Sequence, residues 1–156
     1  MEIDYNNGIK LKFSITNDRP DIFLFIDGLE VMTTEEKEHK SMKKAIEECP
    51  ENARVFIGGL GFGLILKYLE QSKKAKEIIV CEIDQRIIDL FEVDIRKVCP
   101  NFVLIKGDAH EEITKNGLFD WVYMDLSVMP DDVLKHISIN YLNKNGIYTE
   151  FVEWLQ

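Results

Sequence analysis

The sequence predicts an α/β fold: a mostly parallel sheet with helices on both faces, preceded by an antiparallel β-hairpin. Three observations carry that expectation. From Ala53 onward, near-continuous apolar strands alternate with amphipathic helices, the pattern of a parallel sheet buried on both sides. A glycine-rich run, Val55-Phe56-Ile57-Gly58-Gly59-Leu60-Gly61-Phe62-Gly63, stands where the first of those strands turns into a helix. An acid, Glu82, closes the next strand.

Taken in order, residues 1–32 read as the hairpin appendage and residues 33–156 as the main domain. Ile9, Leu11, Phe13 and Ile15 alternate with Lys10, Lys12 and Ser14, the period of a half-buried strand. Asn17, Asp18 and Pro20 place a turn over residues 16–21. Residues 22–26 form a second strand, Asp27-Gly28 a tight turn, and residues 29–32 a short third strand. Thr33 with Glu36 has the spacing of a capping box, and Met42, Ala45, Ile46 and Cys49 then mark one helix face that Pro50 closes.

In the main domain, residues 55–57 form a buried strand. Leu64, Ile65, Tyr68 and Leu69 give a helical stripe. Residues 78–83 form a strand, and a helix from Asp84 carries Ile87, Ile88, Phe91, Ile95 and Val98. Residues 102–105 form a strand followed by a short helix near Ala109, and residues 119–126 form another. Val133, Leu134, Ile137 and Tyr141 mark a further helix, which Asn145-Gly146 ends before a last strand over residues 147–154.

The glycines permit positive φ and remove the Cβ atoms that would strike a ligand, and the helix beyond them starts with unpaired N–H groups. Glu82 lies 19 residues past Gly63, close to the roughly 20 expected of a carboxylate that accepts from both hydroxyls of a ribose. Loop, acid and strand–helix–strand context together predict a Rossmann-like nucleoside site. A GxGxxG reading from Gly59 fails at Leu64, which disfavours a nicotinamide dinucleotide. No Gly-Lys-Ser/Thr follows, which excludes a P-loop. Asp108 and Asp125 end the third and fourth parallel strands, and the carboxyl ends of strands are where open parallel sheets bind ligands.

Composition narrows the partners. Nineteen Lys and Arg against 28 Asp and Glu give a net charge of −9. That surface repels phosphate backbones, so no nucleic acid is expected and a cationic small molecule is mildly favoured. No stretch reaches the roughly 20 apolar residues of a membrane span, and the opening MEIDYNNGIK has no apolar signal region. Cys49, Cys81 and Cys99 make an odd set without a CxxC pair, as expected of buried thiols in a reducing cytoplasm. His39, His110 and His136 have no metal-ligand spacing, so no metal is expected; His110 reads as a helix-start histidine near Asp108. Trp121 and Tyr123 read as core.

The segments Asp27-Gly28, Ile57-Gly58-Gly59, Cys81-Glu82-Ile83-Asp84, Gly107-Asp108-Ala109 and Asp125-Leu126-Ser127 resemble the class I S-adenosylmethionine-dependent methyltransferase superfamily, and within it the spermidine synthase-like group. The resemblance covers residues 22–126. It implies a cofactor-binding set of Gly58, Gly59, Leu60, Gly61, Glu82, Ile83, Asp108 and Ala109. Glu82 would hold the ribose, Ile83 would pack on the adenine, and Asp108 and the Ala109 N–H would meet its edge. Asp125 would be catalytic, and S-adenosylmethionine or its decarboxylated form would be the cofactor.

Four positions depart from the group's aminopropyltransferases. Gly61 stands where they carry a loop acid, Val128 where they carry a second acid, Val31 where they carry Gln, and Lys40 where they carry Tyr. With those polyamine-binding groups missing, the sequence favours a transferase that moves a methyl group to a small molecule. The alternatives are spermidine synthase-like aminopropyl transfer and non-catalytic nucleoside binding. The group's sheet usually ends in a hairpin after its fifth parallel strand, whereas this sequence stops at Gln156. A last strand apolar on both faces should not lie at an open edge; either the N-terminal strands or another subunit covers it, and a homodimer is expected.

Overall fold

A computed structural model describes residues 1–125 and 132–150. The chain divides into two compact units, Met1–Ser41 and Met42–Gln156.

The first unit is an antiparallel meander of four strands in the order β1-β2-β3-β4. These are β1 (Glu2–Asp4), β2 (Ile9–Thr16), β3 (Arg19–Ile26) and β4 (Leu29–Thr33), one strand more than the sequence announces. Thr16 pairs with Arg19 and Ile26 with Leu29, so the second and third hairpins turn on two residues. Asn17 and Asp18 have φ of 52° and 60°, and Asp27 and Gly28 have 51° and 86°. Positive φ at both central positions matches the twist of the flanking strands. The expected turn over residues 16–21 is therefore shorter, and Pro20 lies inside β3 opposite Ile15. Ile9, Leu11 and Leu24 are buried, while the alternation runs out at Ile15, which is exposed.

Helix α1 (Glu36–Glu48) starts later than the capping-box spacing suggests. Thr33 is still paired with Phe23 in β4, and its hydroxyl accepts from the Glu35 N–H at 3.2 Å. In the second unit Met42, Ala45, Ile46 and Cys49 are buried as one face. Lys74 Nζ caps the helix end by donating to the Ile46 carbonyl at 3.0 Å.

The second unit holds β5 (Ala53–Gly58), α2 (Leu64–Ser72), β6 (Ala75–Glu82), α3 (Gln85–Val98), β7 (Val103–Lys106), α4 (Ala109–Glu112), β8 (Phe119–Met124), α5 (Asp132–Ile139) and β9 (Leu142–Glu150), with a 3-10 turn after α4. The five strands are all parallel, in the order β7-β6-β5-β8-β9. The chain moves outward from β5 to β7, then returns to the other side for β8. The order therefore reverses between β5 and β8, where open sheets form a crevice beyond their carboxyl ends. On one face Phe56, Ile79, Cys81, Val122 and Met124 pack with Ala109 and Ile113. Val55, Ile57, Ile78 and Val80 alternate to the other face, and they too are buried.

Arg54 fastens the opposite, amino end of the sheet. Its N–H donates to Asp120 Oδ2 at 2.8 Å, its Nε to Glu77 Oε2 at 2.7 Å and its Nη1 to the Leu118 carbonyl at 2.8 Å. The Arg54 N–H is the main reason the Asp120 carboxyl titrates below its ordinary range.

β9 begins at Leu142, earlier than the expected residue 147. Asn145-Gly146 lies within it rather than ending a helix. Phe119 pairs with Leu142 and Trp121 with Ile147, so β9 bulges over residues 143–146, with Asn145 at φ 70°. The expected continuation over residues 151–154 and the side chains of Val133 and Leu134 lie outside the described residues. All three cysteines are free and buried. Among the described residues no helix is long and apolar enough to cross a membrane.

Gly63 shows how sequence sets packing here. It caps α2 at φ 74°, and a Cβ added there would lie 2.6–2.9 Å from the Ile95 side chain of α3. Gly63→Ala adds left-handed strain to overpacking and should cost about 3 kcal/mol. That is a fall of roughly 10 °C in midpoint. A thermal melt checks it, and an unchanged midpoint would mean that α3 yields freely at Ile95.

Candidate functional site

The sequence-predicted residues gather at the carboxyl end of the parallel sheet. Gly58 is the last residue of β5 and Glu82 the last of β6. Asp108 and Ala109 follow β7, and Asp125 follows β8. Neighbouring strands lie about 4.8 Å apart, so the row from Asp108 to Asp125 spans three spacings, about 14 Å.

The glycine loop is fixed by the strand and helix beside it. Gly59 and Gly61 have φ of 96° and 48°, values that side chains resist. The Gly59 N–H donates to the Cys81 carbonyl at 2.8 Å and the Gly63 N–H to the Leu60 carbonyl at 2.9 Å. Leu60 is buried. Phe62 turns its ring onto Phe91 of α3, edge to face at 5.2 Å between centroids.

Glu82 is the centre of the arrangement. It is 9% exposed, and its carboxylate lies against the glycine loop. Oε1 accepts from the Leu60 N–H and Oε2 from the Asp84 N–H, each at 2.9 Å. A carboxylate offers about four lone-pair positions, so each oxygen keeps one for a further donor. Leu60, one of the residues the resemblance puts in the cofactor-binding set, gives its N–H to Glu82. Nothing in the spacing signals that bond. Ile83 beside Glu82 is 64% exposed, an apolar surface with a carboxylate on either side along the chain. Asp84 caps α3, accepting from the Arg86 N–H at 2.9 Å, and the Arg86 guanidinium grips it at 2.7 Å.

Asp108 caps α4. Its Oδ1 accepts from the His110 N–H at 2.9 Å and lies 2.9 Å from His110 Nδ1. These bonds, the backbone one first, hold its carboxyl below the usual carboxylate range. Ala109 is buried behind it. The Cys81 thiol donates to the Gly107 carbonyl at 3.1 Å. Burial, with the nearby Glu112, Glu82 and Asp108 carboxylates, pushes that thiol up to about 12, so it stays protonated and unreactive.

Asp125 sits at the reversal point. Its N–H donates to the Gly58 carbonyl at 2.9 Å, tying β8 to the glycine loop. The residue is half-buried. Desolvation, with a smaller contribution from the Glu82 carboxylate, pushes its pKa up to about 7. The adjoining residues of the sequence motif, Leu126, Ser127 and Val128, lie outside the described residues. No group of His, Cys, Asp and Glu suited to a metal ion occurs among the described residues.

The carboxyl end of the sheet thus carries the buried Glu82 carboxylate, the exposed Ile83, the Asp108 carboxylate and the Asp125 carboxyl, whose pKa is raised to about 7.

The sequence matches no protein-family profile. It matches no curated protein sequence. Solved structures do match. Spermidine synthase from Thermotoga maritima superposes with a TM-score of 0.70 at 17% identity, over 92% of this chain and 53% of that one. A spermidine synthase in complex with the transition-state analogue AdoDATO gives 0.71 at 16% identity, over 92% and 55%. A putative SAM-dependent methyltransferase from Streptococcus mutans gives 0.62 at 12% identity, over 90% and 40%. The chain thus spans about half the length of the spermidine synthases it matches. Its fold is the one shared by spermidine synthase and SAM-dependent methyltransferase structures.

Proposed function

We propose that the crevice beyond β5–β8 binds an adenosyl sulfonium, S-adenosylmethionine or its decarboxylated form, for group transfer to a small acceptor. The observation that carries this reading is the buried Glu82 carboxylate. It is locked between two backbone N–H groups at the end of β6 and keeps a lone pair on each oxygen for a ribose diol. In this reading the nucleoside site belongs to the chain after residue 32.

When bound, such a ligand supplies an electrophilic carbon on positive sulfur. Glu82 fixes the sugar, Ile83 supports the base and Asp108 accepts from its amine. The glycine loop leaves room beneath the chain that carries the sulfur. Asp125 would take the proton that the acceptor nitrogen or oxygen loses as its new bond to carbon forms and the carbon–sulfur bond breaks, the neutral thioether being the leaving group. A carboxylate titrating near 7 suits that task at neutral pH. Holding both reactants in register supplies several kcal/mol more.

Aminopropyl transfer of the spermidine synthase type is placed first. The two spermidine synthases superpose better than the methyltransferase, 0.70 and 0.71 against 0.62. Methyl transfer is the second reading, favoured by Gly61, which brings no acid to the loop for the amine of an aminopropyl donor.

Calorimetry with S-adenosylmethionine, its decarboxylated form, methylthioadenosine and NAD tests the proposal. Binding of the adenosyl compounds and not of NAD is the expected result. Tighter binding of the decarboxylated form, with methylthioadenosine released when putrescine is added, would establish the first reading. Preference for S-adenosylmethionine would establish the second. Binding of NAD alone would overturn both.

A further inference from the structure

The pair Asp108–His110 has a consequence for base recognition. The Asp108 carboxylate is an acceptor only, so the 2.9 Å approach of His110 Nδ1 to Oδ1 requires the proton on Nδ1. That proton is present in the imidazolium and in one of the two neutral tautomers. The same Oδ1 also accepts from the His110 N–H at 2.9 Å. Two donors on one oxygen fix the torsion of the carboxyl group. Both hydrogen bonds fall on Oδ1, and the Asp108 side chain is 45% exposed. The held, partly exposed carboxylate therefore keeps Oδ2 for a further donor.

We propose that His110 is a positioning residue for base recognition: its Nδ1–H clamps Asp108 Oδ1 so that Oδ2 meets the exocyclic amine of a bound adenine. This rests on the adenosyl reading above. Adenine donates from that amine, whereas hypoxanthine carries a carbonyl oxygen there, which an oriented carboxylate repels. The clamp thus becomes a filter for adenosine over inosine. Without the ring the carboxyl keeps only the backbone N–H and rotates, so the filter loosens.

The test compares methylthioadenosine with methylthioinosine, by calorimetry, on wild type, His110→Ala and His110→Asn. The alanine variant keeps the backbone N–H at position 110, which donates to the capping Asp108 carboxylate, and a thermal melt confirms that it folds. Wild type should prefer adenosine by at least about tenfold, the ratio of one charge-assisted hydrogen bond. His110→Ala should lower adenosine affinity about tenfold and leave inosine affinity unchanged or raised. His110→Asn, whose amide N–H stands near the Nδ1 position, should restore the preference to within about threefold. Nitrogen NMR should show His110 protonated at Nδ1 at pH 8. An unchanged preference in His110→Ala, or equal loss of both nucleosides, would overturn the clamp while leaving the adenosyl reading standing. Binding of neither nucleoside to wild type would overturn both.

Discussion

Replacing Glu82 with Gln should reduce the affinity for methylthioadenosine at least about a hundredfold and destabilise the protein by about 2 kcal/mol. Both oxygens of the native carboxylate accept from backbone N–H groups, those of Leu60 and Asp84. A glutamine keeps one acceptor oxygen and turns an NH2 group toward the other N–H. Two donors then face each other at a position only 9% exposed. The lost acceptor would also have received a ribose hydroxyl, so stability and binding fall together. Calorimetry and a denaturant titration on the same preparation check both. A variant that binds at wild-type strength would move the nucleoside away from β6.

Asp125→Asn should behave in the opposite way toward stability. The native carboxyl has a pKa near 7 in the folded chain against about 3.9 for an unperturbed Asp. Below that lower value both states are protonated, and the group leaves stability unchanged. As pH rises toward 7 the unfolded chain ionises first, so the native protein loses stability over that interval. Above 7 the folded chain holds a desolvated charge beside Glu82, and the loss is constant. Removing the charge should therefore stabilise the protein by about 2 kcal/mol at pH 8, and by little at pH 4. The full shift corresponds to about 4 kcal/mol, and relaxation with entry of water at this half-buried site reduces it. Group transfer should slow about a thousandfold for want of a proton acceptor. Denaturation at the two pH values checks the sign. Equal effects at pH 4 and pH 8 would mean that Asp125 is not strained.

The parallel half of the fold is legible in the sequence because its signals agree with one another. Continuous apolar strands, helical stripes and glycines at the strand–helix turn all favour one layered solution. The exceptions are local. Pro20 resembles a turn residue, yet it pairs with Ile15 because the Asn17-Asp18 pair makes the shorter turn. Asn145-Gly146 resembles a helix stop, yet it forms a bulge inside β9.

The positions of the expected residues at the ends of their strands are legible in the sequence, but their bonds are not. Spacing places Glu82 at the end of its strand, but cannot show the carboxylate holding Leu60 and Asp84. Likewise, His110 reads as an ordinary helix-start residue until its ring nitrogen is seen against Asp108. Such contacts depend on side-chain rotamers, which no periodicity encodes.

The central claim is that the Glu82 carboxylate receives the two hydroxyls of a ribose. It is tested most directly by a calorimetric cycle with methylthioadenosine and its 2′-deoxy and 3′-deoxy counterparts on wild type and Glu82→Ala. Deleting either hydroxyl should weaken binding to wild type about tenfold and have no further effect on the variant. Equal losses in both proteins, or no loss in wild type, would contradict the assignment.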